Sequence, residues 1–312
     1  MLKRIFIAVM LAALPFVTAR AQQEPSFAHY WAMEPLFNPA AVGKEDVINV
    51  AGSYDMTLVG FENNPRTMYV GADMPFYLLR NYHGAGVQLM NDQLGLFTNQ
   101  CLALQYAFKF RLFGGRLSVG AQVGMLSKKF KGSGLDLEED EDLAFSKSDD
   151  TGMAIDLSAG LYYQHKNWYV GVSAMHLTAP SIELGERSIL DVSRVYYLTG
   201  GYNIKLKNPF LTIHPSVLAQ YDGAVHRVDV TARVKYTHEK RMLYAGVAYS
   251  PTNSITALIG GNFHGISIGY AYEYYTTQLK LGNGGHELFV GYQTKINLHK
   301  KGRNRHQSVR IL

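Results

Sequence analysis

Carboxylates gather most densely in the run Asp136-Leu137-Glu138-Glu139-Asp140-Glu141-Asp142, followed by Asp149-Asp150. Hard cations such as Ca²⁺ are held by several carboxylate oxygens, so this run is the first candidate for a metal site. It lacks the D-x-[DN]-x-[DN]-G order of an EF-hand loop. A solvated loop tip is the favoured reading, and no metal is expected. The eleven histidines raise a second question, that of hydrolysis. No G-x-S-x-G elbow and no H-E-x-x-H pair accompanies them. His29, His83, His176, His214, His226, His264 and His286 are dispersed, mostly near the ends of extended segments, where an imidazole is interfacial or structural. Ser133-Gly134 and Gly282-Asn283-Gly284-Gly285 are followed by no helical pattern, which a phosphate-binding loop requires, and read as turns. No catalytic residue and no cofactor is expected.

The ends of the chain carry other signals. Lys3 and Arg4, the apolar run Ile5 to Val17 and the small-x-small site Ala19-Arg20-Ala21 form a secretory leader over residues 1–21. No Cys follows the cleavage site, so lipoprotein processing is not expected. Loss of Lys3, Arg4 and Arg20 takes the formal charge from +5 to +2, which leaves no basic bias of the kind that binds nucleic acid. The tail over residues 298–312 is basic from His299 to Arg310 and reads as a solvated periplasmic extension. The single cysteine, Cys101, excludes an internal disulfide and reads as a buried thiol.

Between these ends the chain alternates with period two. In Arg116 to Met125, the residues Leu117, Val119, Ala121, Val123 and Met125 share one face, and Ser118, Gly120, Gln122 and Gly124 the other. Met153 to Tyr163, Arg227 to Tyr236 and Ile266 to Tyr274 repeat the pattern. No apolar run after the leader approaches the ~20 residues of a spanning helix, whereas many alternating segments reach the ~9–11 residues of a tilted membrane strand. Aromatic residues near strand ends (Tyr106, Phe108 and Phe110; Tyr162 and Tyr163; Trp168 and Tyr169; Tyr272, Tyr274 and Tyr275) suit interfacial girdles. Glycines recur on the polar face, where small inward residues let a barrel wall curve.

The expectation is all-β: a transmembrane antiparallel up-and-down barrel of about 14 strands over residues 46–297, an even number as bacterial outer-membrane barrels have. The strands are placed near 46–56, 66–77, 84–91, 98–111, 116–130, 151–165, 168–177, 194–206, 210–221, 225–237, 242–250, 254–263, 266–277 and 286–297. Short links follow the even strands. The long links 131–150, 178–193 and 278–285 follow odd ones, as a periplasmic N-terminus requires. Only Leu78 to His83 is untidy. Asp156, Arg227, Asp229, Arg233, Lys235 and Glu273 face the lumen as a network of paired charges.

Residues 22–45 precede the first strand as an arm on the periplasmic side. Pro35 and Pro39 break any helix there. Tyr30, Trp31, Met33, Leu36 and Phe37 need an apolar surface, which is the barrel's lower rim, its lumen entered as a plug, or a docked partner.

The segment FAHYWAMEPLFNPAAVG resembles the N-terminal signature of the PorP/SprF family at Tyr30, Met33, Phe37, Asn38, Pro39, Ala40 and Gly43, and Tyr30, Trp31, Met33, Phe37, Asn38, Pro39 and Gly43 of this arm are the partner-binding candidates. VGFENNPRTMYVGADMPF resembles the family's second motif at Phe61, Pro65 and Thr67. GAGVQLMNDQLGLF is similar to its third at Gly84, Gly86, Asp92 and Gly95, and GGHELFVGY to its last strand at His286, Glu287 and Gly291. The resemblance implies a non-enzymatic outer-membrane barrel of the type IX secretion system of Bacteroidota. It implies as partners a periplasmic ring lipoprotein, a peptidoglycan-binding protein, outer-membrane lipid and secreted cargo with a C-terminal sorting domain. Where many members carry Arg-x-Gln-Trp, this chain has Tyr54-Asp55-Met56-Thr57-Leu58. That places it nearer the core secretion component than the cargo-paired gliding relatives. The alternative is an outer-membrane channel or a FadL-like transporter of apolar solutes with an N-terminal plug.

Overall fold

The computed structural model of the protein describes residues 24–132, 149–185, 188–239, 241–251, 253–276 and 283–296. The leader 1–21, the acidic run 136–142 and the tail 298–312 lie outside the described residues. The alternating segments form strands β1 (Val47–Met56), β2 (Arg66–Leu78), β3 (Asn81–Leu94), β4 (Phe97–Leu112), β5 (Gly115–Lys131), β6 (Asp149–Gln164) and β7 (Trp168–Met175). A short hairpin follows, β8 (Ser181–Leu184) with β9 (Ser188–Asp191). The wall resumes with β10 (Val195–Tyr202), β11 (Ile204–Lys205), β12 (Leu211–Tyr221), β13 (His226–His238), β14 (Arg241–Ser250), β15 (Ser254–Phe263), β16 (Ile266–Tyr275) and β17 (Gly285–Lys295).

Each wall strand pairs antiparallel with the next, and β17 returns to β1 with Gly291 opposite Ala51. β10 bridges β7 and β12, and β11 continues its line along β12. The result is a closed antiparallel barrel of fourteen strands. None of the described helices is long and apolar enough to cross a membrane.

A water-soluble sandwich also alternates, so burial decides between the two environments. Here the apolar face is outside. In β5, Val123 and Met125 are 55% and 47% exposed, while Ser118 and Gln122 are 3% and 2% exposed. Ile155, Leu157, Val230, Val234, Ile268 and Tyr270 also point outward, whereas Asp156, Ser158, Asp229 and Thr231 point inward. An apolar exterior over a polar interior is the arrangement a bilayer imposes, because lipid satisfies no side-chain hydrogen bond.

The two ends of the barrel differ. At one, here called the turn end, Leu79-Arg80, Phe113-Gly114 and His264-Gly265 each join two strands, and all six residues have positive φ. The untidy link Leu78 to His83 is therefore a tight turn: β2 runs through Leu78 and β3 begins at Asn81. Positive φ at both central residues matches the right-handed twist of the flanking strands. At the other, the loop end, lie the longer links. The link 178–193 is not a plain loop, since it contains the β8–β9 hairpin. Ile182 of that hairpin is buried with Cys101, Leu126 and Val192 inside the barrel mouth. Strands of four residues are too short to show a period.

Three aromatics depart from the girdle expectation, since Tyr275 falls on the inward face of β16 with Glu273. Tyr162 and Tyr169 face the lumen, stacked at 5.5 Å between ring centroids, and pack on Ala40 and Ala41. Tyr106, Tyr272 and Tyr274 point outward as expected.

A Val123→Arg substitution tests the membrane face. It should lower folding stability in a bilayer by about 2–4 kcal/mol, measured by urea titration in lipid vesicles.

Candidate functional site

The lumen is occupied by the chain's own N-terminal arm. Residues 24–46 enter it as three single turns of 3-10 helix, Tyr30–Ala32, Glu34–Leu36 and Pro39–Ala41. The last is capped by Asn38, whose side chain accepts from the Ala40 N–H at 2.9 Å. Pro35 and Pro39 sit in the first turns of the second and third, where a missing N–H costs nothing.

The arm runs the length of the barrel. Glu24 lies at the loop end, 3.3 Å from His176 Nε2 just beyond β7. Tyr30 bonds Ser216 in mid-strand at 2.9 Å. Gly43 and Lys44 lie at the turn end, where the Gly43 N–H donates to Asp73 at 2.7 Å and Arg116 donates to the Lys44 carbonyl at 3.3 Å. The arm is therefore a lumen plug rather than a rim segment on the periplasmic side.

Irregular backbone in a barrel interior must find partners for its N–H and C=O groups. The inward polar face supplies them. Gln105 donates to the Pro35 carbonyl at 2.6 Å, Ser173 to that of Phe37 at 2.5 Å, and Lys109 to that of Gly43. Glu287 accepts from the Ala28 and His29 N–H groups and from Ser53, and meets His29 Nδ1 at 2.8 Å. Asn38 Nδ2 donates to the Leu161 carbonyl at 3.0 Å. Within the arm, Lys44 pairs with the buried Glu34 at 2.6 Å.

The inward glycines acquire a second purpose. A Cβ on Gly84 would overlap Val42, one on Gly120 would overlap Ala40, and one on Gly160 would overlap Asn38. At Gly269 it would lie 2.5 Å from His29. These positions let the arm backbone approach the wall. Gly43 itself combines φ of +59° with a Cβ position 2.7 Å from the Met74 carbonyl, so no other residue fits there. Aromatic contacts complete the seating. Arg233 lies over Trp31 at 3.6 Å, Tyr244 meets the same ring edge-on, and His29 stacks on Phe289 at 5.2 Å.

The candidate residues divide accordingly. Tyr30, Met33, Phe37, Asn38, Pro39 and Gly43 are buried in the lumen, and Trp31 is half-buried beneath Arg233. Contact between a partner and these side chains would require the arm to leave its seat. Gly84, Gly86 and Glu287 line that seat. Thr67 and Asp92 meet across β2 and β3, the hydroxyl donating at 2.8 Å. Gly95 turns the chain between β3 and β4 with φ of +59°. Pro65 and Phe61 lie in the 57–65 loop, Gly291 faces inward on β17, and His286 bonds Tyr270 at 2.7 Å on the outer face. Asp73, Gln105, Lys109, Ser173 and Arg233 hold the arm but stood out by no motif. Their one signal is that each falls on the inward face of its strand.

The lumen charges pair only in part: Asp156 meets His176, and Arg233 lies over Trp31 instead of against a carboxylate. Arg227 contacts Asp229 at 3.0 Å and Glu273 at 3.4 Å. His176 is held between two carboxylates, Nδ1 at 3.0 Å from Asp156 and Nε2 at 3.3 Å from Glu24. Both imidazole nitrogens are thus taken by carboxylates, an ion-pair clamp rather than a nucleophile–base pair.

A family model described as type IX secretion system membrane protein PorP/SprF matches residues 19–292. The chain belongs to the PorP/SprF family. The PorP/SprF assignment and the closed barrel together make it an outer-membrane protein of that secretion system. No curated protein matches it. Among solved structures, the CymD monoaromatic hydrocarbon channel superposes with a TM-score of 0.52 at 12% identity, covering 86% of this chain and 94% of that one. A Pseudomonas aeruginosa FadL homologue gives 0.48 at 12% identity over 84% and 93%. At this identity the likeness to CymD is one of fold.

Two expectations follow for this PorP/SprF protein. A Gly120→Leu or Gly160→Val change overpacks the seat, which costs about 1–3 kcal/mol or more. The arm should then become open to chymotrypsin after Tyr30, Trp31 or Phe37, sites that stay uncut in the unmodified protein. For His176, burial alone would lower the pKa, but the hydrogen bonds to Asp156 and Glu24 outweigh it and lift it from 6.5 to about 10. A raised folded value means the imidazolium contributes in full below pH 6.5, and its contribution fades as pH rises through about 10. An NMR titration should place the His176 midpoint near 10, and Asp156→Asn with Glu24→Gln, which leaves burial acting alone, should bring it to 6.5 or below.

Proposed function

We propose that this protein is a sealed outer-membrane platform of the type IX secretion system, not the conduit through which cargo passes. The observation that carries this reading is the arm. It crosses the lumen from loop end to turn end, and inward polar groups of several strands bond its backbone. A general porin needs those groups to face a continuous water path.

In this reading the turn end faces the periplasm and engages the ring lipoprotein and its peptidoglycan-binding partner. The loop end faces outward and receives cargo with a C-terminal sorting domain. The turn end has a surface suited to docking. Leu79 and Phe113 stand on neighbouring turns, 82% and 87% exposed, both at positive φ. A bulky residue at such a φ is strained, and Gly or Asn would make the same turn at lower cost. Large apolar groups held out at the tips of tight turns suit burial by a partner. Tyr30 to Gly43 act in this reading by keeping the seal, and the leader 1–21 is the means of export.

The test is a mild-detergent pull-down of the tagged protein from its native outer membrane, with partners identified by mass spectrometry. The unmodified protein should bring down a ring lipoprotein. The Leu79→Asp, Phe113→Asp double variant should reach the membrane in normal amount and lose that partner at least tenfold. Recovery of the barrel alone in both cases would overturn the platform reading.

A further inference from the structure

Charge at the turn end is sorted by position around the rim. The connections β2–β3, β4–β5, β6–β7 and β10–β12 follow one another along the wall and form an arc. Across that arc, residues 78–83, 111–116, 164–168 and 203–210 include no Asp and no Glu. They carry instead Arg80, Arg111, Lys166, Lys205 and Lys207, all exposed. None of these five forms an ion pair among the described residues. Arg116 lies in the same arc but is half-buried and donates to the Lys44 carbonyl. The rest of the rim is mixed. Glu239 precedes Arg241 by two residues, and Lys295 ends β17 where Glu45 and Asp46 lead into β1.

Like charges gathered on neighbouring turns repel one another and raise the local positive potential. A surface of opposite charge relieves that repulsion and is drawn to it. The apolar tips Leu79 and Phe113 stand inside the same arc, each within two residues of an arginine. Apolar anchors rimmed by charge have the make-up of a protein–protein contact. Anionic lipid head groups surround a barrel on all sides and would favour cations around the whole rim. The arc is one-sided, which favours a protein.

We infer that this arc docks a protein whose contacting face is acidic, with carboxylates set around apolar contacts to Leu79 and Phe113. The inference rests on the platform reading for the direction in which the turn end faces, and it adds the chemistry of the partner.

The probe is a water-soluble carbodiimide, which joins an amine to a carboxylate only where the two already touch. Outer membranes holding the full mature protein with a tag would be treated, the protein purified under denaturing conditions and the joined peptides read by mass spectrometry. Lys166, Lys205 or Lys207 should be joined to Asp or Glu of one other protein, and Lys131 at the loop end should not be joined to that protein. Raising the salt from about 0.05 M to about 0.5 M before treatment shortens the screening length to a few ångströms and should remove these links. In a native pull-down, Arg80→Glu with Lys166→Glu and Lys207→Glu should lower recovery of the same protein at least about tenfold. Arg80→Lys with Lys166→Arg and Lys207→Arg should retain it, which separates charge from shape. The links and their salt dependence decide on the unmodified protein if the reversed variant does not reach the membrane.

Absence of links from the three lysines, or links that persist at high salt, would overturn the inference. So would a reversed variant that keeps its protein partner and loses only co-purifying anionic phospholipid. Recovery of a ring lipoprotein without such links leaves the platform reading standing and this inference refuted. Links to an acidic protein of another kind, with no ring lipoprotein recovered, do the reverse.

Discussion

Everything inside this barrel answers to one requirement: an irregular stretch of backbone lies where the wall must satisfy its hydrogen bonds. The arm has three short 3-10 turns, which leave several carbonyls and N–H groups without partners of their own. Gln105, Ser173, Lys109, Arg116, Asp73 and Glu287 reach inward from five strands to meet them. The buried Lys109 and Glu287 are tolerable for this reason, since a buried charge needs dense hydrogen bonding. Glycines on the same face remove the side chains that would hold the arm off the wall. Outside, the only demand is for apolar side chains against lipid, and the strands alternate between the two requirements.

That division explains what could be read in advance. Period two along Arg116 to Met125 is local, so it exposes both the strand and its apolar face from residues two positions apart. Counting the alternating segments gave about fourteen strands, and link lengths gave the distinction between the barrel's ends. The polar and glycine face was equally visible, but its purpose was not. Gly120 looks like any small inward residue until Ala40 is seen against it. Asp73 and Lys109 look like ordinary lumen charges until Gly43 is placed between them. Such contacts join positions far apart in sequence, and no period records them. The family motifs did point to Gly84, Gly86 and Glu287, which lie against the arm. The β8–β9 hairpin escaped for another reason, since four residues are too few to establish an alternation.

The direction of the arm bears on function. Glu24 at the loop end and Lys44 at the turn end mean that the chain passes down the lumen before it turns into β1. In the platform reading, the processed N-terminus lies near the outer mouth, and the two faces of the barrel are coupled through one continuous segment. The clamp of His176 on Asp156 and Glu24 fixes the loop end of the arm, and the Lys44–Glu34 pair with Asp73 fixes the turn end.

The most direct measurement of the central claim is hydrogen–deuterium exchange on the unmodified protein in nanodiscs. The amides of Ala28, His29, Met33, Phe37, Asn38 and Gly43 are all bonded within the lumen. They should exchange as slowly as those of the barrel strands, over hours. Exchange within seconds, at the rate of an unstructured segment, would show that the arm does not reside there and would contradict the account.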